Sequence, residues 1–217
     1  MTEASFSLSP LQKIPSVQAA FLERVPGVTT STNKEETLAR LLPFHTTAAR
    51  DLGFAKTHLA EQVHGAELAL IANDSPLMTP GVDGLLTADP DILLGIHVAD
   101  CGALYLADSR TGALALLHSG KKGTEANILG RAISLMEEKF TTQPADLTVL
   151  LSPCIRPPHY ELDFAATIRE QALESGVLPE NYHDQMICTA SDLSRFYSYR
   201  IEKGNTGRML ALLGRLP

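Results

Sequence analysis

The sequence predicts a single domain of the α+β or α/β class, with mixed sheets whose outer faces carry helices. Strand-like and helix-like segments interleave along the chain, and several neighbouring strands are joined by turns too short to hold a helix. Short turns join antiparallel strands, whereas parallel strands need longer crossovers, so both kinds of pairing are expected. The segment 92–98 is apolar almost throughout, which is typical of a strand covered on both faces. A chain of 217 residues can bury a substantial core.

The strands follow from short apolar runs bounded by turn residues. They are predicted over 67–71, 92–98, 103–107, 113–117, 147–151, 196–201 and 208–213, with an edge strand inside 1–28 that leads to Pro26-Gly27. The five residues 108–112 end in glycine and predict a hairpin, which places His118 at the end of a strand. Residues 202–207 would join the last two strands.

Three helices follow from apolar residues spaced at three and four positions. Thr32-Asn33 can cap a helix that begins at Lys34, and Pro43 should break or kink it before a second stretch ends at Gly53. Its apolar face would be Leu38, Leu41 and Leu42. Further helices are predicted over 129–140, buried through Leu129, Ala132, Ile133, Met136 and Phe140, and over 164–174.

Composition excludes several classes of protein. A net charge of −7 and a pI near 5.5 argue against a general nucleic-acid or anionic-membrane surface. The start of the chain is polar and acidic, unlike a signal peptide, and charged or imidazole side chains interrupt the longest apolar stretches. The chain has only three cysteines, and this small, odd number argues against a disulfide framework. We therefore expect a cytoplasmic protein.

His64, Cys101 and His118 are the most informative residues, because each stands in a short segment that ends in a turn. The segments read Gln62-Val63-His64-Gly65, Val98-Ala99-Asp100-Cys101-Gly102 and Leu117-His118-Ser119-Gly120. Two imidazoles and a thiolate can hold one Zn²⁺ and leave its fourth position open, as catalytic zinc sites do. The alternative from residue types alone is two ordinary strand-end histidines and a small buried cysteine.

The order of these segments resembles the bacterial polyphenol-oxidase or laccase-domain family, which includes peptidoglycan editing factor and zinc-dependent purine nucleoside phosphorylases. The matching motifs are Gln62-Val63-His64-Gly65, Asp83-Gly84, Ala99-Asp100-Cys101, His118-Ser119-Gly120, Tyr160-Glu161, Tyr197-Ser198-Tyr199-Arg200 and Thr206-Gly207-Arg208. Several motifs in order, over roughly residues 55–217, are far more specific than any one of them.

The resemblance implies one laccase-domain-like domain over residues 1–217 with a layered α/β/β/α fold. It implies that His64, Cys101 and His118 bind one zinc ion per chain. The implied reaction is phosphorolysis of adenosine, inosine or methylthioadenosine, joined in some members by adenosine deamination. The partners would then be a purine nucleoside and phosphate, with no nucleic acid and no membrane, in a monomer or weak dimer.

Lys121-Lys122 is a departure from the family's pattern. The family usually carries a Trp-Arg pair after His-Ala-Gly, and this chain contains no tryptophan. Lysine offers a mobile point charge where arginine grips an oxyanion with two donors. The segment 120–124 precedes a helix, so Lys121 and Lys122 could face a phosphate, or they could be solvated in a loop.

Further roles rest on position and resemblance. Asp100 could orient Cys101 or move a proton, so it joins Cys101 and His118 as a catalytic candidate, although it could equally cap a turn. Gln62, Arg200 and Arg208 join the two lysines as substrate- or phosphate-binding candidates. We expect structural roles for His97, Cys154 and Cys188, and nothing specific supports His159 as a pocket residue.

Three other functions remain open or are discounted. A cysteine hydrolase editing peptidoglycan precursors would use Cys101 as nucleophile and His64 or His118 as its base. A multicopper laccase needs several His-rich clusters, and seven histidines with two in ligand-like motifs do not build them, so we do not expect copper. A non-enzymatic descendant that kept the pocket is the third.

Overall fold

Two mixed sheets lie face to face in the computed structural model, which describes residues 6–217. The strands are β1 (Val17–Leu22), β2 (His58–Ala60), β3 (Leu68–Leu70), β4 (Met78–Thr79), β5 (Gly84–Thr87), β6 (Leu93–Val98), β7 (Gly102–Asp108), β8 (Leu114–Ser119), β9 (Leu147–Leu151), β10 (Tyr182–Asp184) and β11 (Met209–Arg215). The α-helices are α1 (Ser9–Gln12), α2 (Lys34–Asp51), α3 (Lys121–Glu125), α4 (Ile128–Phe140) and α5 (Phe164–Glu174).

Both sheets mix parallel and antiparallel pairs, as the alternation of short turns and helices predicts. The first sheet has the order β1-β11-β6-β2-β4, with β11 antiparallel to β1 and β6 and with β2 parallel to β6 and β4. The second has the order β10-β9-β7-β8-β5-β3, antiparallel at its centre and parallel at both edges. The predicted hairpin is β7-β8, in which Leu104 faces Leu117.

Alternating residues of each strand divide the interior into three apolar layers. In β6, Leu94 and Ile96 face the other sheet, whereas Leu93 packs outward with the Ala49 side of α2. In β7, Tyr105 enters the layer between the sheets and Leu104 enters the layer beneath α4 and α5. This period-two alternation with helices outside both sheets confirms the α/β/β/α arrangement.

The predicted helices are confirmed, with one local difference. Helix α2 starts where expected, since the Asn33 side chain accepts a hydrogen bond from Glu36 N at 3.0 Å. It then continues through Pro43, so of the break or kink expected there the break is wrong. Pro43 lies on the solvent side, where water can satisfy the carbonyl that its ring leaves unpaired. Leu42, predicted for the apolar face of this helix, is 60% exposed.

The predicted strand over 196–201 is wrong. Phe196 and Tyr197 are buried in the layer between the sheets, but the chain then turns, and Glu202 N bonds to Ser198 O. The buried side chains of Phe196 and Tyr197 hold a loop against the core. A short apolar run of this kind does not distinguish a strand from a buried turn. The strand expected at 208–213 is present as β11, which lies between β1 and β6 in the first sheet.

The described residues contain no helix with the length and apolar character needed to cross a bilayer.

Candidate metal centre and cavity

The fold brings His64, Cys101 and His118 together from three separate elements. One ligand atom from each lies within 4.8 Å of the others, and within residues 6–217 this is the one cluster of three or more potential ligands. His118 is the penultimate residue of β8 and is buried, Cys101 immediately precedes β7, and His64 lies exposed in the loop after β2. The two imidazole rings meet nearly at right angles with centroids 4.9 Å apart.

Asp83 positions two of the three candidate ligands. Its fully buried carboxylate accepts hydrogen bonds from the backbone N–H groups of Val63, His64 and Gly65 at 3.2, 2.9 and 2.7 Å. The same carboxylate is 2.8 Å from Nδ1 of His118. Holding Nδ1 leaves Nε2 of that ring for a metal, as carboxylate partners of metal-bound histidines do.

The loop that carries His64 is strained and depends on these bonds. Gln62 and His64 have φ of 64° and 62°, in the left-handed region that non-glycine residues rarely adopt. Such conformations persist where the surroundings over-determine them. The Gln62 amide helps, because Nε2 donates to the His97 carbonyl at 2.6 Å and Oε1 accepts from the His97 N–H at 2.9 Å.

Cys101 has the space and the charge environment of a metal ligand. A Cβ at Gly120 would lie 2.3 Å from the Cys101 Sγ, so the thiol occupies room that only glycine leaves. Burial raises the pKa of Cys101, but hydrogen bonds from His118 and His64 outweigh it and bring the pKa to about 6. The His118 pKa rises to about 9 because its bonds to Asp83 and Cys101 outweigh burial.

The donor set fits a zinc ion. A thiolate and two imidazoles are characteristic zinc ligands, and the ligand atoms are close enough for one ion to bridge them. Asp83 supplies the outer hydrogen bond that fixes the orientation of His118.

Asp100, a predicted catalytic residue, precedes Cys101 and accepts hydrogen bonds from other parts of the chain. It lies in a bend after β6, with φ of 80°. Its carboxylate accepts from Thr189 Oγ1 at 2.8 Å, Ser198 Oγ at 3.1 Å and Arg200 N at 2.7 Å. Its side chain therefore connects the loop of residues 198–200 to the segment that carries Cys101.

The three candidate metal ligands lie in the wall of a cavity of about 720 Å³. All the predicted site residues line it, together with others that sequence reasoning assigned to no site or to structural roles. Those additional residues include Lys34, His97, Ile155, Tyr160, Phe164, Tyr199 and Lys203.

The predicted cations differ in their surroundings. Lys121 and Lys122 are exposed in the first turn of α3, not in a loop before a helix. Arg200 forms an ion pair with Glu161 and lies 5.1 Å from the centre of the Tyr160 ring. Arg208 is partly buried, and its Nη1 donates to the Gly207 carbonyl at 2.8 Å.

The remaining histidine and cysteine predictions have mixed outcomes. His97 packs against His45, in agreement with the structural role predicted for it. It also lines the cavity, which the sequence did not indicate. His159 is exposed and lies 3.6 Å from the Cys188 Sγ, outside the residues that line the cavity. Cys154 is fully buried, as expected, and burial raises its pKa to about 12.

Comparison with known proteins agrees with the fold and the motifs. A purine nucleoside phosphorylase of Geobacillus stearothermophilus, YlmD, is 30% identical over 193 aligned residues, covering 71% of this chain and 70% of that protein. A purine nucleoside phosphorylase of Deinococcus radiodurans is 32% identical over 190 residues, covering 76% and 74%. One from Staphylococcus saprophyticus is 31% identical over 160 residues, covering 62% of this chain and 61% of the relative.

Solved structures show the same fold. The crystal structure of Geobacillus stearothermophilus YlmD superposes with a TM-score of 0.81 at 24% identity, covering 96% of this chain and 94% of the other. The hypothetical protein YfiH of Bacillus licheniformis gives a TM-score of 0.79 at 19% identity, covering 93% of both. The family described as multi-copper polyphenol oxidoreductase laccase matches residues 29–163 and 158–215. The chain belongs to this family.

Proposed function

We propose that the protein is a zinc-dependent purine nucleoside phosphorylase. The observation that carries the proposal is the convergence of His64, Cys101 and His118 within 4.8 Å in the wall of a cavity bordered by cations. Relatives at about 30% identity that bear the name purine nucleoside phosphorylase support this reaction class. The proposed substrates are adenosine, inosine and methylthioadenosine, with adenosine deamination as a second activity to assay.

Zinc is the metal we assign, at one ion per chain. When bound by His64, Cys101 and His118, it would supply a Lewis acid for a substrate or phosphate oxygen. A multicopper oxidase needs additional His-rich centres, and the part of the chain that the structure describes holds this single cluster.

In phosphorolysis, a phosphate oxygen forms a bond to C1′ of the ribose as the bond from C1′ to the purine nitrogen breaks. The purine keeps the electron pair of the broken bond and takes up a proton, and the products are free base and ribose 1-phosphate. We assign phosphate and ribose binding to Gln62, Lys121, Lys122, Arg200 and Arg208, whose donors suit oxygen-rich ligands. Asp100 positions Cys101 and Arg200 through its bonds to the C-terminal loop.

The test is base release from each nucleoside with and without inorganic phosphate. We expect free purine only when phosphate is present, because phosphate is the nucleophile. Equal release in its absence would identify a hydrolase and contradict the proposal.

A cysteine hydrolase acting on peptidoglycan precursors is the second candidate, favoured by the two imidazoles beside the Cys101 thiol. The two functions give Cys101 incompatible roles, since a metal-bound thiolate is a poor free nucleophile. Chelation separates them: the phosphorylase loses activity and regains it with zinc, whereas a cysteine hydrolase does not need the metal. A protein inactive under every one of these conditions would be a relative that kept the pocket and lost catalysis.

The proposed setting is the cytoplasm, as a monomer or weak dimer, with no nucleic-acid or membrane partner. Purine nucleosides and phosphate are available there, and the acidic overall charge supports the absence of a nucleic-acid surface.

A further inference from the structure

The cavity is lined from both sheets, and of the candidate metal ligands Cys101 and His118 belong to the second. On the side of the first sheet it is lined by Lys34 from α2, His97 from β6 and Arg208 just before β11. On the side of the second sheet it is lined by Ile155, Tyr160 and Phe164, at and before the start of α5. The first side, the cationic side, carries two cations, and the second, the aromatic side, carries the two rings and Ile155, with the Arg200 guanidinium 5.1 Å from the centre of the Tyr160 ring.

The cationic side carries charge that the protein does not neutralise by an ion pair. Neither Lys34 nor Arg208 forms a salt bridge to any residue within 6–217, in contrast to Arg200, which pairs with Glu161. Partly buried arginines normally have a partner, so Arg208 without a carboxylate indicates a place for an external anion.

The charges that face Lys34 agree with this. Burial and the neighbouring charge of Arg208 lower the pKa of Lys34, while Glu35, Glu61 and Asp83 act in the opposite direction without pairing with it. Glu61 instead accepts from the backbone N–H of Gly81 at 2.7 Å. A dianion between Lys34 and Arg208 would relieve their repulsion.

His97 completes this wall without adding charge. Burial, together with the charges of His45, Lys34 and Arg208, lowers its pKa to about 3, so the ring is neutral at physiological pH. A neutral imidazole beside two cations can hydrogen-bond to a bound anion and leaves the net attraction to the cations.

The aromatic side suits a purine. The Tyr160 and Phe164 rings meet edge to face at 6.0 Å, and Ile155 is buried beside the cavity. Aromatic and aliphatic side chains of this kind stack against a flat heterocycle and exclude water from it.

We propose that inorganic phosphate binds between Lys34 and Arg208, and that the purine binds against Tyr160 and Phe164. The ribose then lies across His64, Cys101 and His118. This inference rests on the proposed function, and it fixes the face of C1′ that is attacked. The phosphate oxygen bonds to C1′ from the face opposite the departing base. The base leaves on the aromatic side with the electron pair of the broken bond. Lys121 and Lys122, which are exposed on α3, then contribute less to phosphate binding than Lys34 and Arg208 do.

The experiment measures the Kd of inorganic phosphate for the zinc-loaded protein by calorimetry, without nucleoside. Lys34→Met should raise the Kd at least tenfold, and Lys34→Arg should restore most of the affinity. Lys56→Met is the matched control, because it removes the same charge from an exposed lysine outside the cavity, and its Kd should stay within twofold of wild type. The Lys121→Met/Lys122→Met double variant should change the Kd less than threefold.

Two results would overturn the assignment: a wild-type protein that binds no phosphate, or a Lys34→Met variant with unchanged Kd. A larger effect from the Lys121→Met/Lys122→Met variant than from Lys34→Met would also overturn it.

Tyr160→Leu should raise the nucleoside KM at least fivefold and leave the phosphate Kd unchanged, and the reverse pattern would contradict the orientation. Because the phosphate arm needs no turnover, Lys34-dependent binding without phosphorolysis would contradict the proposed function while the anion site stands.

Discussion

At the scale of single residues, one buried carboxylate organises the candidate centre. Asp83 fixes the loop that carries His64 and holds the ring of His118, so a single side chain determines where two ligands point. Asp83 could be noted in the sequence only as part of a motif before an apolar strand. Its partners are separated from it by up to 35 residues, and no local pattern reveals such contacts.

Asp83→Asn tests this positioning role. An amide keeps the shape of the side chain but has one acceptor oxygen instead of two, so the His64 loop loses a partner in either orientation of the amide and the His118 ring loses its partner in one of them. Replacing a partner of a metal-bound histidine weakens metal binding by roughly 10–100-fold. Zinc affinity, measured by competition with a chelator, should fall by this factor. The exposed Asp89→Asn variant is the control, and equal affinities for both variants would contradict the role.

Gly120→Ala tests the close packing around the thiol. The added methyl group would lie 2.3 Å from the Cys101 Sγ, well inside van der Waals contact, so the thiol must move away from the two imidazoles. We expect a loss of zinc from a protein that remains folded by circular dichroism. Gly65→Ala is a matched change beside another ligand, where the nearest atom is 3.5 Å away, and should retain zinc. Full zinc content in Gly120→Ala would show that the thiol is not held where the structure has it.

At the scale of elements, regular strands and helices were predictable because their apolar periodicity is local. The hairpin β7-β8, the strand β9 and helix α5 follow from short windows of sequence. The segment 196–201 did not, because only its first three residues are buried and the chain turns after them, which leaves Tyr199 and Ile201 exposed. Pro43 also misled, since the cost of proline in a helix depends on whether solvent reaches the carbonyl that it leaves unpaired.

The contact between α2 and β6 makes stability depend on pH through His45 and His97, whose ring nitrogens are 3.4 Å apart. Burial lowers the pKa of His45 to about 4 and, with neighbouring charges, that of His97 to about 3. Below the ordinary histidine pKa of 6.5, the unfolded chain binds protons at these two histidines that the folded protein does not bind. The free energy of unfolding therefore falls as pH falls from about 6.5 towards 4.

His45→Leu should therefore lose less stability than wild type between pH 7 and about pH 4.5, as measured by urea unfolding at several pH values. The variant removes one of the two histidines that take up a proton only in the unfolded chain, and it leaves the carboxylates unchanged. The exposed His159→Leu variant controls for loss of an imidazole. A pH dependence in His45→Leu as steep as in wild type would show that this pair does not titrate as described.

At the scale of the whole molecule, the site is assembled from distant segments by the packing of two sheets. The three ligands could be proposed from their turn-ending segments and from the order of the motifs, which requires no knowledge of distances. Lys34 could not, because it is an ordinary exposed lysine at a helix start until the fold places α2 beside β6 and Arg208. Residues whose role depends on what faces them across a cavity carry no signature in one sequence.

The most direct test of the account is the zinc content per chain, measured by elemental analysis, of the purified protein and of three single variants. We expect close to one zinc in wild type, since three converging ligands form one site. His64→Ala, Cys101→Ala and His118→Ala should each lose it while keeping the fold. A wild-type protein that cannot be loaded with zinc, or single variants that all retain it, would contradict the central claim.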